Sequence, residues 1–247
     1  MEADISELKK YISEKYRFRT ELHAHTSPVS LCADFPPEEV IRRYAAIGYD
    51  AIAVTNHFTY GYRYERFDKE PSAEEFVNWY MTDFYAAKKA GEKYGITVIL
   101  GAELRFAENQ NDYLAYGIDE DTLIEIYDRL PYGLADFRNS ERLKNILLVQ
   151  AHRFRNNMEY ADPSLVDGIE TFNMHNGHNS RIGKTVKFAK DEGFNIVTAG
   201  SDFHHDGGEG MAALRTAELP DDSYRLADIL RGGDYAFEIA ENSVILP

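Results

Sequence analysis

The sequence predicts an α/β protein built on a mainly parallel sheet, open or closed into a barrel. Two observations carry that expectation. Short apolar runs of strand length alternate with amphipathic helical stretches about seven times along the 247 residues. Histidines or carboxylates also stand at or just past the ends of five of those runs, which is where the chemistry of parallel α/β folds gathers.

The elements follow in order. Residues 5–16 have helical spacing, with Ile5, Leu8, Tyr11, Ile12 and Tyr16 near one face. Residues 18–22 read as the first strand, which runs into Thr20-Glu21-Leu22-His23-Ala24-His25-Thr26. Pro37 opens a helix to about residue 47, with Glu38 and Glu39 in its first turn and Gly48 after it. Residues 51–55 form a buried strand ending at Asn56-His57, and residues 58–71 read as an aromatic, charged loop over one end of the fold. Ser72 and Glu75 make a capping box for a helix that stops at Gly95. The third strand, 96–100, leads to Gly101-Ala102-Glu103, and a fourth covers 112–118. A helical stretch over 121–145 is broken at Pro131 and Gly133. Strands follow at 146–150, ending at Ala151-His152, at 166–171, and at 194–199, ending at Gly200-Ser201-Asp202-Phe203-His204. A helix capped by Ser180 separates the last two. Weaker strand signals at 213–219 and 235–239 flank a helix at 222–230.

Composition narrows the class. With 44 % hydrophobic and 28 % charged residues the chain suits one globular domain spanning 1–247. No apolar run approaches the roughly 18 residues of a membrane span, and the acidic first residues lack the apolar segment of a signal peptide. One cysteine, Cys32, rules out an intramolecular disulfide. These features predict a cytoplasmic protein without a membrane partner. A formal net charge of −15 repels polyanions, so stable binding to duplex nucleic acid is not expected.

The ligand-type residues are informative by position. His23 and His25 are two apart, so in a strand both imidazoles leave the same face, one way to deliver them to one metal. His57, Glu103, His152 and the Asp202/His204 pair follow other strand ends, and parallel strands would bring all of them to one rim. Histidines with carboxylates suit divalent Zn, Mn or Fe, and a shared carboxylate can bridge two ions. Two ions roughly 3.5–4 Å apart can hold an attacking hydroxide and a leaving oxygen in line. No Gly-x-Ser-x-Gly elbow and no phosphate-cradling glycine loop is present.

His23-Ala24-His25-Thr26, Thr55-Asn56-His57, Gly101-Ala102-Glu103, Ala151-His152 and Ser201-Asp202-Phe203-His204 together resemble the motifs of the PHP (polymerase and histidinol phosphatase) family, in its order and at about its spacing. The resemblance implies a distorted (β/α)7 TIM-like barrel of PHP type with two or three divalent metal ions at its carboxyl rim. It also implies hydrolysis of a small phosphate ester, with Glu103, Asp202 and His152 nearest the chemistry. Carried over by position, His23, His25, Glu103 and Asp202 hold a first ion. Glu103 bridges to a second, also bound by His152, and His57 and His204 hold a third. Three departures stand out. Asn56 replaces an aspartate and reads as a supporting residue. Asp112 stands where a histidine ligand is common and is expected to bind the second ion. Asp34 is the candidate for the third ion, while Cys32 reads as a plain buried thiol. Arg153, His175 and His178 are candidates to meet a small phosphorylated substrate. Two rivals remain: a TIM-barrel amide or lactone hydrolase, and a metal-binding barrel without turnover.

Overall fold

The computed structural model describes residues 5–240 and 243–245. Helix α1 (Ile5–Lys15) precedes β1 (Phe18–Ala24), then α2 (Pro37–Ala46), β2 (Ala51–Val54), β3 (His57–Thr59) and the short α3 (Tyr62–Glu65). The long α4 (Ala73–Tyr94) leads to β4 (Thr97–Leu100), β5 (Ala102–Arg105) and β6 (Tyr113–Tyr116). Next come α5 (Glu120–Arg129), α6 (Leu134–Asn139), β7 (Leu147–Gln150), β8 (Gly168–Asn173), α7 (Ile182–Glu192) and β9 (Ile196–Gly200). The chain ends with β10 (Ala212–Thr216), α8 (Ser223–Gly232), β11 (Tyr235–Ile239) and β12 (Ser243–Ile245).

Local chemistry accounts for the helix limits. Pro37 sits in the first turn of α2, where a missing N–H costs nothing. The Ser72 hydroxyl accepts from Glu75 N while the Glu75 carboxylate accepts from Ser72 N, so the expected capping box opens α4. Gly95 closes that helix with a left-handed φ of 73°.

The strands form two six-stranded sheets, β12-β11-β10-β1-β2-β4 and β3-β5-β6-β7-β8-β9. They are joined by continuing strands rather than stacked apart. β2 breaks at Thr55-Asn56 and resumes as β3, and β4 breaks at Gly101 and resumes as β5. The two breaks lie side by side: Gly101 N donates to Val54 O and Glu103 N to Asn56 O. A Cβ at Gly101 would stand 2.7 Å from Thr55 Cγ2, so only glycine lets the strands turn there. Tyr80 of α4 sets its hydroxyl between the two bends, 2.9 Å from Asn56 O and 3.1 Å from Gly101 O, where its one proton is shared. On the far side, the segment after β9 meets the end of β1. Ala24 and Phe203 form a parallel bridge, His25 N donates to Phe203 O at 3.0 Å and Phe203 N to His23 O at 3.2 Å. The staves in circular order are therefore β1, β2/β3, β4/β5, β6, β7, β8 and β9, a distorted barrel without one continuous ladder.

Two features differ from the purely parallel expectation. β6 runs antiparallel to both β5 and β7. The tail strands β10, β11 and β12 extend the first sheet antiparallel beyond β1. The aromatic stretch read as a loop contains β3 and α3.

Leu22, Ile99, Leu114, Leu147 and Val149 fill the barrel together with Leu226 and Leu230 of α8. Each such buried side chain contributes about 1.5–3 kcal/mol. Ser223 at the start of α8 receives Gly117 N and Ile118 N, which fixes that helix across the end where the antiparallel β6 finishes. The opposite end is left for the ligand-type residues. Among the described residues no helix is long and apolar enough to cross a membrane.

Candidate metal centre

The rim opposite α8 gathers the predicted strand-end residues. His23 lies on β1 and His25 just past it, His57 opens β3 and Glu103 lies on β5, beyond the two strand breaks. His152 follows β7, and Asp202 and His204 follow β9. Asp112 directly precedes β6. Because β6 is antiparallel, its start lies at the rim where its neighbours end. His152 and Asp202 hold positive φ of 26° and 48°, an unusual conformation for non-glycine residues that costs about 1–3 kcal/mol and clusters at functional sites.

Glu103 is the hub. One carboxylate oxygen lies 3.3 Å from His23 Nε2 and 3.1 Å from His152 Nε2; the other lies 3.4 Å from His25 Nε2 and 2.7 Å from His57 Nδ1. Asp202 Oδ1 is 3.3 Å from His23 Nε2 and 3.4 Å from His25 Nε2. His23, His25, Glu103 and Asp202 thus face one point, and all are buried. Asp112 Oδ2 is 3.6 Å from His152 Nε2, and Glu103, Asp112 and His152 form a second group able to hold a cation. Arg105 already grips Asp112 in a fork, with both contacts at 2.6 Å.

His25, His57 and His204 form a third group. Asp34 does not join it: its carboxylate is exposed and meets His205 Nδ1 at 2.9 Å. Cys32 does reach it. Contrary to the expected buried thiol, Cys32 is exposed, with Sγ 3.2 Å from His57 Nε2. The turn through residues 26–34 decides this, because Asp34 N donates to His204 O, which leaves residue 32, not 34, over the histidines.

Other polar groups orient these side chains. His23 Nδ1 lies 2.8 Å from Glu170 Oε1, and Glu170 Oε2 accepts from His152 N at 3.1 Å and Asn173 Nδ2 at 2.9 Å. Asn173 Nδ2 also donates to Asp202 Oδ2 at 3.1 Å. His25 Nδ1 lies 3.1 Å from Ser30 Oγ. Asn56 accepts from Thr26 N and Ser30 Oγ and donates to Thr26 Oγ1, with Asp83 Oδ2 3.4 Å away. An amide suits that position, since an aspartate there would face a buried carboxylate. A Cβ at Gly200 would stand 2.5 Å from His23 Cβ, so β9 can pass beneath the cluster only as glycine.

Protonation favours ligation. Burial alone would raise Glu103, but the His23 and His57 imidazoles hold it well below the usual carboxylate range. Burial likewise opposes ionisation of Asp202, yet His23 and His25 keep it ionised. Burial, with His204 and His57 alongside, pushes His25 well below its ordinary value. Although the Cys32 residue is exposed, its sulfur is packed against the cluster, and that partial desolvation would raise the thiol, but His204 and His57 beside it bring it to about 6. Metal ligands must be deprotonated. His23, His57 and His204 would each give up a proton on ligating: burial opposes their charge, but Asp202 and Glu170 raise His23 and Glu103 raises His57 well above the usual range, and Cys32 raises His204.

The rim opens into a cavity of about 660 Å³ lined by Cys32, His57, Tyr60, Tyr62, Glu103, Arg105, Phe106, His152, Arg155, His175, His178, Asp202 and His204. His175 and His178 stack with ring centroids 4.4 Å apart, and burial lowers both, His178 to about 3. Arg153 does not line the cavity. It is buried, held by Gln150 and Ala161 O, and stacked on Phe188. The left-handed turn at His152 sends residue 153 inward and brings Arg155 to the cavity. Sequence reading missed Arg105 and Arg155. Their signal was weak: two among many surface-type arginines, one on β5 two residues past Glu103.

Four buried atoms, His23 Nε2, His25 Nε2, His57 Nδ1 and Glu103 Oε2, have no well-formed hydrogen bond. Such orphans cost about 1–3 kcal/mol each, and here they converge on one spot with ionised carboxylates. The donor set fits divalent cations bound by nitrogen and oxygen.

Comparison with known proteins identifies the fold and the family. No curated protein sequence matches the chain. Three solved structures are similar in fold. One is a candidate metal-dependent phosphoesterase from Bifidobacterium adolescentis, 17 % identical, TM-score 0.50, covering 86 % of this chain and 95 % of that one. Another is a two-domain protein from Bacteroides vulgatus containing a predicted PHP-like metal-dependent phosphoesterase. It is 15 % identical, TM-score 0.57, over 90 % of this chain and 64 % of that one. The third is PsfC from Pseudomonas syringae, 19 % identical, TM-score 0.56, covering 86 % and 87 %. The family model for the PHP domain matches residues 21–239, and the chain belongs to the PHP domain family.

Proposed function

We propose that this chain is a metal-dependent phosphoesterase that hydrolyses a small phosphate ester, a monoester or a short nucleotide fragment, at the rim cluster. The observation that carries the reading is the hub: one buried carboxylate, Glu103, within 2.7–3.4 Å of four histidine nitrogens. A single carboxylate shared this way keeps neighbouring cations within the span that in-line displacement needs. His23, His25, Glu103 and Asp202 would hold the first ion, Glu103, Asp112 and His152 the second, and His57 and His204 the third.

Bound divalent ions would supply Lewis-acid polarisation of the phosphoryl oxygens and lower the pKa of an attacking water to about 7. The protein's own groups do the rest. Glu170 fixes His23, and Asn173 fixes Asp202, in the orientations the cluster requires. Arg155, on the cavity wall, offers a guanidinium to phosphate oxygens. His175 and His178, kept neutral by burial, offer ring nitrogens to the ester without adding charge. Tyr60, Tyr62 and Phe106 give the leaving group an apolar wall. The cavity volume of about 660 Å³ suits a small molecule.

The test is phosphate release from an aryl phosphate and a panel of small esters, with apo protein and protein reloaded with Zn, Mn or Fe. Release that depends on metal and disappears in Glu103→Ala supports the reading. Bound metal with no release from any ester, and hydrolysis of amides or lactones instead, would replace it with the amide-hydrolase reading.

A further inference from the structure

In the loop after β8 the backbone selects which nitrogen of a cavity-lining imidazole is bare. Gly177 N donates to His175 Nδ1 at 2.7 Å. A ring nitrogen that accepts from an N–H carries no proton, so in the neutral ring the proton sits on Nε2. Burial also favours the neutral ring. The contact depends on glycine: a Cβ at residue 177 would stand 2.6 Å from His175 Cε1 and 3.1 Å from Nδ1.

The loop is anchored to the cluster it borders. Asn173 Oδ1 accepts from Ser180 Oγ at 2.8 Å and from His175 N at 3.4 Å. The amide nitrogen of the same side chain donates to Glu170 and Asp202. One asparagine therefore ties the place of His175 to that of Asp202. A nitrogen of His175 lies within 4.8 Å of donor atoms of Asp202 and His204, and the half-buried ring lines the cavity. His178 stacks on one face of the ring, and His204 meets it edge to face at 5.2 Å. Among the described residues nothing pairs with His175 Nε2.

Two uses of that open nitrogen compete, ligand and donor. Ligation through Nε2 needs a lone pair there and the proton on Nδ1. That proton would then point at the N–H of Gly177, hydrogen against hydrogen. The backbone contact thus takes His175 out of the ligand set, although it stands beside two ligands, and leaves it a fixed N–H donor.

We propose that His175 is a catalytic residue whose Nε2–H donates to a phosphoryl oxygen of the bound ester, on the side of the cavity formed by Asp202 and His204. The assignment rests on the reading of the rim as a phosphoesterase centre. No proton is transferred. A neutral imidazole is a weak acid, and it acts as a fixed dipole aimed at charge that grows in the transition state. Arg155 lines the same cavity near Asp112, so the phosphoryl group is gripped by a charged fork from one side and a neutral donor from the other.

Ring-nitrogen magnetic resonance of the full chain labelled with nitrogen-15 histidine reads the tautomer directly, and His175→Gln assigns the signals by their loss. His175 is expected to show a protonated Nε2 and a bare Nδ1, both in the metal-free protein and after zinc is added. With an aryl phosphate as substrate, His175→Leu should lower kcat by about ten- to a hundredfold, as for a lost hydrogen bond to a charged group. KM and ion count should stay nearly unchanged, and His175→Gln, which supplies an N–H, should recover most of the rate. A proton on Nδ1, a zinc-bound Nε2, or an unchanged kcat in His175→Leu would each overturn the proposal and leave the phosphoesterase reading standing. The donor tautomer in a protein that releases phosphate from no ester would overturn that reading and the phosphoryl acceptor with it.

Discussion

The inner and outer halves of the cluster are fixed in different ways. His23 and His25 are wholly buried, and the ring nitrogen that faces away from Glu103 is tied in each, to Glu170 and to Ser30. Asp202 is held on its second oxygen by Asn173. In the outer half, the His57 side chain keeps 13 % of its surface exposed and His204 9 %. There the contacts of His57 are Glu103 on one side and Cys32 on the other. Both halves are positioned before an ion arrives, His204 through Nδ1 to Asp202 O at 2.9 Å, but the outer half is partly exposed and opens on the cavity, so an ion there stays in reach of solvent. The inner position is therefore expected to bind more tightly and exchange more slowly.

The largest way to break this contrast is to remove the group both halves share. Glu103→Ala is expected to abolish phosphate release, by at least about 10³-fold, and to lower metal content by about two ions per chain. Circular dichroism should still report a folded barrel. Elemental mass spectrometry decides: an unchanged ion count would mean that Glu103 is not the bridge.

Asp112 tests the position between the halves. Its fork with Arg105 can serve as a brace that the second ion displaces, or as a permanent ion pair that excludes the ion. Losing one partner of a fully buried pair costs about 3–5 kcal/mol. With Arg105 27 % exposed, solvent screening reduces that, and Arg105→Gln is expected to cost the metal-free protein about 2 kcal/mol. Urea denaturation with and without metal separates the two roles. If Asp112 binds the ion, metal should erase most of the loss. An equal loss in both conditions would assign Asp112 to Arg105 alone.

Glu170→Gln sharpens the contrast by loosening one tether of the inner half. An amide keeps the shape but weakens the hydrogen bond to His23 Nδ1, and such changes typically lower metal affinity by 10–100-fold. Competition with a graded series of chelators should show the inner ion of the variant leaving earlier, with the outer ion unmoved. If both ions shift together, the halves are not independent.

Much of this arrangement was legible in the sequence, for physical reasons that can be named. His-x-His at a strand end has few outcomes once the strand is buried, and Glu103 and Asp202 follow apolar runs whose ends are unambiguous. Capping at Ser72 and Gly95 is local chemistry and fell where expected. What failed to read through depends on long-range geometry. Asp112 was reached through the family resemblance and not through strand polarity, because it precedes its strand and the antiparallel course of β6 brings it to the rim. Arg153 looked well placed beside His152, but one residue at positive φ reversed which neighbour meets the cavity. Asp34 and Cys32 are two residues apart in a turn, and a hydrogen bond from Asp34 N to His204 O chose between them. Spacing fixes which side chains share a face in a strand, and it carries no such information through a turn.

The smallest expected effect lies beyond the ligands. His178 meets His152 edge to face at 5.6 Å and stacks on His175, so it borders the inner half from the cavity without belonging to the donor groups. Its Nε2 is buried and has no hydrogen-bond partner within the protein, which suits a group that waits for substrate. One neutral hydrogen bond contributes about 1 kcal/mol. His178→Ala is therefore expected to raise KM roughly fivefold, with kcat and ion count nearly unchanged, while His178→Asn restores part of the loss by supplying a donor. Steady-state kinetics alongside elemental analysis distinguishes the roles. A fall in bound metal would place His178 among the ligands, and a fall in kcat at constant KM would place its contact in the transition state rather than in substrate binding.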